Sequence, residues 1–259
     1  MKSIFMKQIA LLILPCLLLT AYSEIDPGFT TRHLPSRTTI QDRNQQDPAR
    51  KDRVLRRDEQ EKMTPDDVIE IMKLGNRRFT SDSLTQRVHT KLVRSAVSGQ
   101  FPKAVVLSCV DSRIPVEDVF DLGIGDLFVA RVAGNFANTD IIGSIEFACK
   151  VSGSMVVMVM GHENCGAIMG AIDGVQLGNL TATLDNLQPA IQAVPGYEGG
   201  RTGSNPKFVQ AVANKNVLLT IAMIRERSPI LRQMEKEGKI KFVGAMYAME
   251  TGKVTFEVK

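Results

Sequence analysis

Two uninterrupted apolar runs, Ala104–Leu107 and Met155–Met160, constrain the fold of this chain more than any other feature. A strand that alternates apolar and polar residues needs cover on one face, whereas a run apolar at every position needs it on both. Helix-like stretches at Pro115–Leu122 and Ile141–Lys150 lie between these runs and flank a third strand candidate, Asp126–Val132. Further on, Phe208–Arg225 carries a helical period and Ile230–Glu237 adds a short helix. Ile240–Met249 and Val254–Val258 read as strands joined by the turn Glu250-Thr251-Gly252-Lys253. This order predicts an α/β fold: a parallel β-sheet core, right-handed crossovers, helices on both faces and an antiparallel C-terminal edge strand.

The folded domain is expected from Thr64 to Lys259. Thr64-Pro65-Asp66-Asp67 is a helix start, with a capping Thr, a Pro at the first helical position and acids at the positive end of the dipole. Val68, Ile71, Met72 and Phe79 supply its apolar face, with an interruption expected at Gly75-Asn76. A second helix is predicted over Leu84–Val97.

Residues 1–63 read differently. Lys2 and Lys7 precede an apolar run, Ile9–Leu19, and the small-x-small exit Ala21-Tyr22-Ser23. This is the pattern of a cleaved secretory signal peptide, residues 1–23, and the run is too short to span a membrane. Export is therefore expected, most simply to the periplasm, with no membrane span left after cleavage. Pro15 before Cys16 disfavours lipid anchoring. Residues 24–63 alternate acid and base with few apolar groups, which predicts a polar arm, with a short helix near Val54-Leu55 if a partner subunit covers it. The net charge of the whole chain is only +4, without a dense basic stripe, so no nucleic-acid partner is expected.

Chemistry concentrates in two short clusters that follow the two most apolar runs. One is Cys109-Val110-Asp111-Ser112-Arg113; the other is His162-Glu163-Asn164-Cys165-Gly166. Open parallel sheets bind ligands beyond the carboxyl ends of their strands, where connections diverge. If the two strands are neighbours, Cys109, His162 and Cys165 converge into a donor set suited to zinc, with Asp111 as a fourth candidate. Simpler readings stand beside this one. A Cys after a strand is often a buried hydrophobe, a lone His is often structural, and a Cys109–Cys165 disulfide is conceivable in an oxidising compartment. Cys149 falls on an apolar helical face and reads as core; His33 and His89 lie in polar surroundings. Gly123-Ile124-Gly125 lacks the third glycine of a dinucleotide loop, and neither a phosphate loop nor a G-x-S-x-G elbow is present.

Ser108–Arg113 together with Gly161–Ala167 resembles the β-class carbonic anhydrases, whose pattern is Cys-x-Asp-x-Arg followed by His-x-x-Cys-Gly. The resemblance runs from about Thr64 to the C-terminus and includes Gly75-Asn76-x-Arg78-Phe79 and Gly244-Ala245-Met246-Tyr247. It implies reversible hydration of carbon dioxide to bicarbonate and a proton, with one Zn2+ per chain bound by Cys109, His162 and Cys165. Asp111 and Arg113 form a dyad beside the metal, and Asp111 serves as fourth ligand in a closed state known in part of the family.

The resemblance also places Gln100 as a substrate-binding residue that reaches the neighbouring subunit's site, hence a homodimer or larger homo-oligomer. Phe128 and Phe147 match apolar pocket positions, Phe147 standing where Tyr is usual, and Ala133 stands where Val is common. Val106 occupies the place of a Trp found in the bicarbonate-regulated subgroup, which favours the open, plant-like subgroup. Two alternatives remain at this stage: hydrolysis of CS2 or COS on the same scaffold, and a non-catalytic zinc or thiol protein.

Overall fold

The structure is a computed structural model that describes residues 53–258. The expected signal peptide and most of the expected polar arm, residues 1–52, lie outside the described residues. Among those described, no helix is long and apolar enough to cross a membrane.

The end of the expected arm packs onto the domain. Val54 and Leu55 are buried, and the short helix falls just after them, α1 (Arg57–Gln60). Buried Gln60 donates through Nε2 to the carbonyls of Pro102 at 2.7 Å and Ser152 at 2.9 Å. These bonds tie the segment to the chain just before two of the sheet's strands, Ala104–Ser108 and Val156–His162.

α2 (Pro65–Phe79) starts as expected: the Thr64 hydroxyl accepts from the Asp67 amide at 3.2 Å while Asp67 Oδ2 accepts from the Thr64 amide at 2.9 Å. It runs unbroken through Gly75-Asn76, which proves to be a contact point. A Cβ on Gly75 would sit 1.8 Å from the Phe120 carbonyl oxygen. Asn76 Nδ2 donates to the carbonyls of Val119 and Gly252, and its Oδ1 accepts from the Val254 amide.

The second predicted helix is shorter than its period suggests, α3 (His89–Ala96). Leu84–Val88 is not helical, because buried Asp121 takes the Thr85 amide and hydroxyl and a nitrogen of Arg87. Charge-assisted bonds to a buried carboxylate outweigh a few tenths of a kcal/mol of helix propensity per residue.

Five strands form one sheet: β1 (Ala104–Ser108), β2 (Leu127–Arg131), β3 (Val156–His162), β4 (Lys241–Tyr247) and β5 (Val254–Phe256). Their order is β2-β1-β3-β4-β5, parallel except for the antiparallel edge pair β4–β5. Every residue of β1 and β3 is buried, as their composition requires.

On one face Val106, Met158 and Met160 pack against Val68 and Met72 of α2 and against α4 (Val116–Val119). The other face sets Leu107, Val157 and Val159 against α5 (Thr139–Glu146) and α9 (Pro206–Arg227). Helix α4 leads from β1 to β2 on one side, and α5 leads back across β1 to β3 on the other. Right-handed crossovers in opposite directions place helices on opposite faces in this way.

α5 passes into a π-helical segment, Phe147–Val151, that leads toward β3. Between β3 and α9 the chain forms α6 (Gly166–Ile172), α7 (Gly178–Asp185) and α8 (Gln188–Gln192), a stretch with little periodicity of its own. After α9, α10 (Pro229–Lys236) precedes β4.

Candidate metal centre

The sheet order makes β1 and β3 neighbours whose outgoing connections diverge, β1 toward β2 and β3 toward β4. Such a switch point opens a crevice at the carboxyl ends of the two strands. Cys109 follows the last residue of β1, and His162 is the last residue of β3. β3 thus runs two residues beyond the expected end at Met160, because Gly161 and His162 pair with Met246 and Tyr247. Asn164 then takes φ +51°, a conformation Asn tolerates, and Cys165 becomes the N-cap of α6.

The sulfurs of Cys109 and Cys165 and a ring nitrogen of His162 all lie within 4.8 Å of one another, and all three residues are buried. The cysteines are not disulfide-bonded. His162 Nδ1 lies 2.9 Å from the Glu163 carbonyl oxygen, so Nδ1 carries the proton and donates. Nε2 is left buried, with its lone pair free and no hydrogen-bond partner. A buried polar atom in that state requires an explanation, and a metal ion beside two sulfurs supplies one.

The thiols are prepared for such a cation. The hydrogen bond from Cys165 pulls the Cys109 thiol far below its ordinary range against the cost of burial, with help from the Gly134 amide. The same contact with Cys109, and burial, push Cys165 up, although the amides of Ala167 and Ile168 at the start of α6 work the other way. Cys149, by contrast, is core: burial pushes its thiol up to about 12.

Asp111 lies beside the three ligands, not among them. Arg113 holds it through a fork, Nε to Oδ1 at 2.9 Å and Nη2 to Oδ2 at 2.7 Å, and the Arg113 amide adds a bond to Oδ1 at 3.0 Å. The Arg113 hydrogen bond is the main reason the Asp111 carboxyl lies well below the usual carboxylate range. Asp111 Oδ2 is 3.9 Å from His162 Nε2, so the carboxylate overlooks the position a metal would take.

Sequence reasoning missed two supports. Arg131 ends β2 and donates from Nε to the Cys109 carbonyl at 2.9 Å and from Nη2 to the Asp111 carbonyl at 2.5 Å, fixing the backbone of the first cluster. Glu163 anchors the second cluster, its Oε2 accepting from the Met249 amide at 3.0 Å. The available signal was positional: an Arg at a strand end, followed by Gly134-Asn135, marks a turn beside the crevice.

Three expected site residues stand apart from the cluster in their own chain. Gln100 is exposed and precedes β1, whereas Cys109 follows it, which separates them by a strand about 17 Å long. Phe128 pairs in register with Val105, toward the same far end. Phe128 and Phe147 meet edge to face with centroids 5.9 Å apart and, with Val105, Ala130 and Ile141, line a cavity of about 780 Å3. None of the three ligands lines that cavity.

Comparison with known proteins agrees with this geometry. Residues 104–254 match the family model described as carbonic anhydrase. Carbonic anhydrase 2 of Mycobacterium tuberculosis is 30% identical over 188 residues, covering 70% of this chain and 87% of the relative. The β-carbonic anhydrase CafA of Aspergillus fumigatus shares the fold with a TM-score of 0.56 at 24% identity, covering 65% of this chain and 81% of that one. A crystal structure from a study of two tetrameric β-carbonic anhydrases of Sordaria macrospora matches with a TM-score of 0.54 at 24% identity, over 63% and 84% of the chains. With its paired clusters converging at the switch point, the chain belongs to the β-class of carbonic anhydrases, enzymes that hydrate carbon dioxide.

Proposed function

We propose that the metal is zinc, one ion per chain, held by Cys109, His162 and Cys165, and that Asp111 and Arg113 serve the hydration of CO2 beside it. The observation that carries this reading is the unpartnered His162 Nε2 among two sulfurs, overlooked by a carboxylate that Arg113 keeps ionised. Two thiolates and an imidazole are a donor set matched to zinc. When bound, zinc supplies Lewis-acid activation of water.

The chain's own residues supply the rest. Asp111, ionised and fixed in direction, accepts a hydrogen bond from the attacking water and so aims its lone pair at carbon. Arg113 keeps that acceptor from turning, through a charge-assisted fork. The products are bicarbonate and a proton, and the proton passes to buffer.

Gln100, Phe128 and Phe147 belong to this reading as the substrate-binding part of a composite site: an apolar resting place for CO2 and an amide donor to one of its oxygens. Their separation from the ligands of their own chain supports a homo-oligomer in which one subunit's Gln100 serves its neighbour's metal. Mixing an inactive Cys109→Ser chain with an inactive Gln100→Ala chain would then restore part of the activity, and no restoration would count against shared sites. Export rests on the pattern at Lys2–Ser23; the test is whether the mature protein from a periplasmic fraction begins near Glu24.

Stopped-flow CO2 hydration followed with a pH indicator, beside zinc content per chain, tests the central reading. The expected result is about one zinc per chain and rapid hydration. Zinc with turnover of COS or CS2 alone would move the reaction to another cumulated substrate, and zinc without turnover would leave a structural site.

A further inference from the structure

Asn216 is a buried amide on the face of α9 that packs against the sheet, among Val209, Val212, Ala213, Val217 and Ile221. A buried amide costs free energy unless it is bonded, and an apolar residue would fill such a face without that cost. Asn216 spends its Nδ2 on one target, the Gly134 carbonyl, at 2.7 Å.

Gly134 lies in the turn that follows β2, and its own amide donates to Cys109 Sγ at 3.4 Å. The turn is held in an uncommon conformation. Gly134 has φ +83° and Asn135 has φ +42°, two successive residues in the left-handed region. A side chain is disfavoured at Gly134, both by its φ of +83° and because a Cβ there would lie 2.8 Å from Leu187 Cδ1, which would have to move. A glycine free of Cβ constraints reaches many other conformations, most of which would turn its amide away from the sulfur.

We propose that Asn216 is a positioning residue for the metal centre: by gripping the Gly134 carbonyl it locks the turn that presents the Gly134 amide to the Cys109 sulfur. The inference rests on the reading of Cys109 as a metal ligand. It adds an outer contact that reaches the ligand through backbone rather than through a side chain. An N–H aimed at a thiolate spreads its charge and fixes the direction of its lone pairs, so the effect is on how the sulfur grips a cation. Outer contacts of this kind are typically worth about 10–100-fold in metal affinity.

The test compares wild type, Asn216→Leu and Asn216→Ser, with Thr220→Val as a control for packing. Thr220 is buried on the same helix, about one turn beyond Asn216. Each purified protein is loaded with cobalt(II) alone, and the sulfur-to-cobalt charge-transfer absorption is recorded. Loss of zinc to a chelator is then timed, and folding is checked by circular dichroism. Both Asn216 variants are expected to be folded, to release zinc about 10-fold or more faster than wild type, and to show a shifted or weakened charge-transfer band. Thr220→Val should match wild type in both metal measurements. Wild-type zinc release and an unchanged band in the Asn216 variants would overturn the proposal. So would failure of both variants to fold, which would make Asn216 a core residue only. A wild-type protein that binds no metal would instead sink the reading beneath it.

Discussion

Arg113 grips Asp111 with two nitrogens on two oxygens while its own backbone amide bonds the same carboxylate. The two residues are only two positions apart, so the fork is a local structure that needs nothing from the far side of the molecule to form. Its orientation toward the metal position, however, depends on Arg131, which fixes the carbonyls of Cys109 and Asp111 from the neighbouring strand.

Replacing Asp111 by Asn keeps the shape and removes the charged acceptor. None of the three clustered ligands is altered, so zinc content should stay at the wild-type level. Turnover should fall by about 100-fold or more, the usual range for loss of a positioned proton acceptor. Stopped-flow hydration beside metal analysis reads both quantities, and near-wild-type turnover would remove Asp111 from the mechanism.

Cys109→Ser, His162→Ala and Cys165→Ser each delete one ligand from a set of three. Purified variants should carry well under half the zinc of wild type and show no measurable hydration. Stripping wild type with a strong chelator should abolish activity, and added zinc should restore it. Full zinc in the His162→Ala protein would show that the metal sits elsewhere.

Asp121 is a structural counterpart to the Asp111 dyad, accepting from Arg78 Nε and Arg87 Nη1, each also an ion pair, and from the Thr85 amide and hydroxyl. Burial raises its pKa, but the bonds from Arg78, Thr85 and Arg87 outweigh this and leave it lowered. Removing one partner of a buried charged network costs about 3–5 kcal/mol, so Asp121→Asn should be strongly destabilised in denaturant titrations at neutral pH.

The sign with pH follows from the lowered value. A carboxylate with a depressed folded pKa stabilises above its unfolded pKa, about 3.9. That contribution is lost as pH falls through the folded value. The gap between wild type and Asp121→Asn should therefore be constant above about pH 5 and narrow below about pH 4. A gap that stays constant to lower pH would show that charge is not the source.

Gly75→Ala should be costly although it lies in a helix, where Ala is normally the better residue. The added Cβ meets the Phe120 carbonyl oxygen at 1.8 Å, and backbone cannot step aside as a side chain can. Overpacking of this order costs about 3 kcal/mol, which for a domain of this size lowers Tm by about 6–12 °C. A Tm at or above wild type in a thermal melt would show that α2 can shift without penalty.

The sequence by itself determined the fold class and the chemistry. Two runs apolar at every position had to be interior strands, and Thr64-Pro65-Asp66-Asp67 had to begin a helix; both signals are local and complete within a few residues. The clusters at Cys109–Arg113 and His162–Gly166 fixed which donor atoms the crevice would hold. Local patterns failed where distant groups competed for the backbone. Leu84–Val88 carries a helical period but gives its hydrogen bonds to Asp121, and Gly75-Asn76 looks like a break only until Phe120 and Gly252 come to lie against it.

Only the tertiary structure decided that β1 and β3 are adjacent, and therefore that a sulfur and an imidazole far apart in sequence face each other. It also decided that Gln100, Phe128 and Phe147 lie toward the opposite end of the sheet from the ligands of their own chain. That the Gly134 amide meets the Cys109 sulfur belongs to the same category. Strand order and loop direction follow from how helices cover two faces of a sheet at once, a global packing condition that no short window of residues contains.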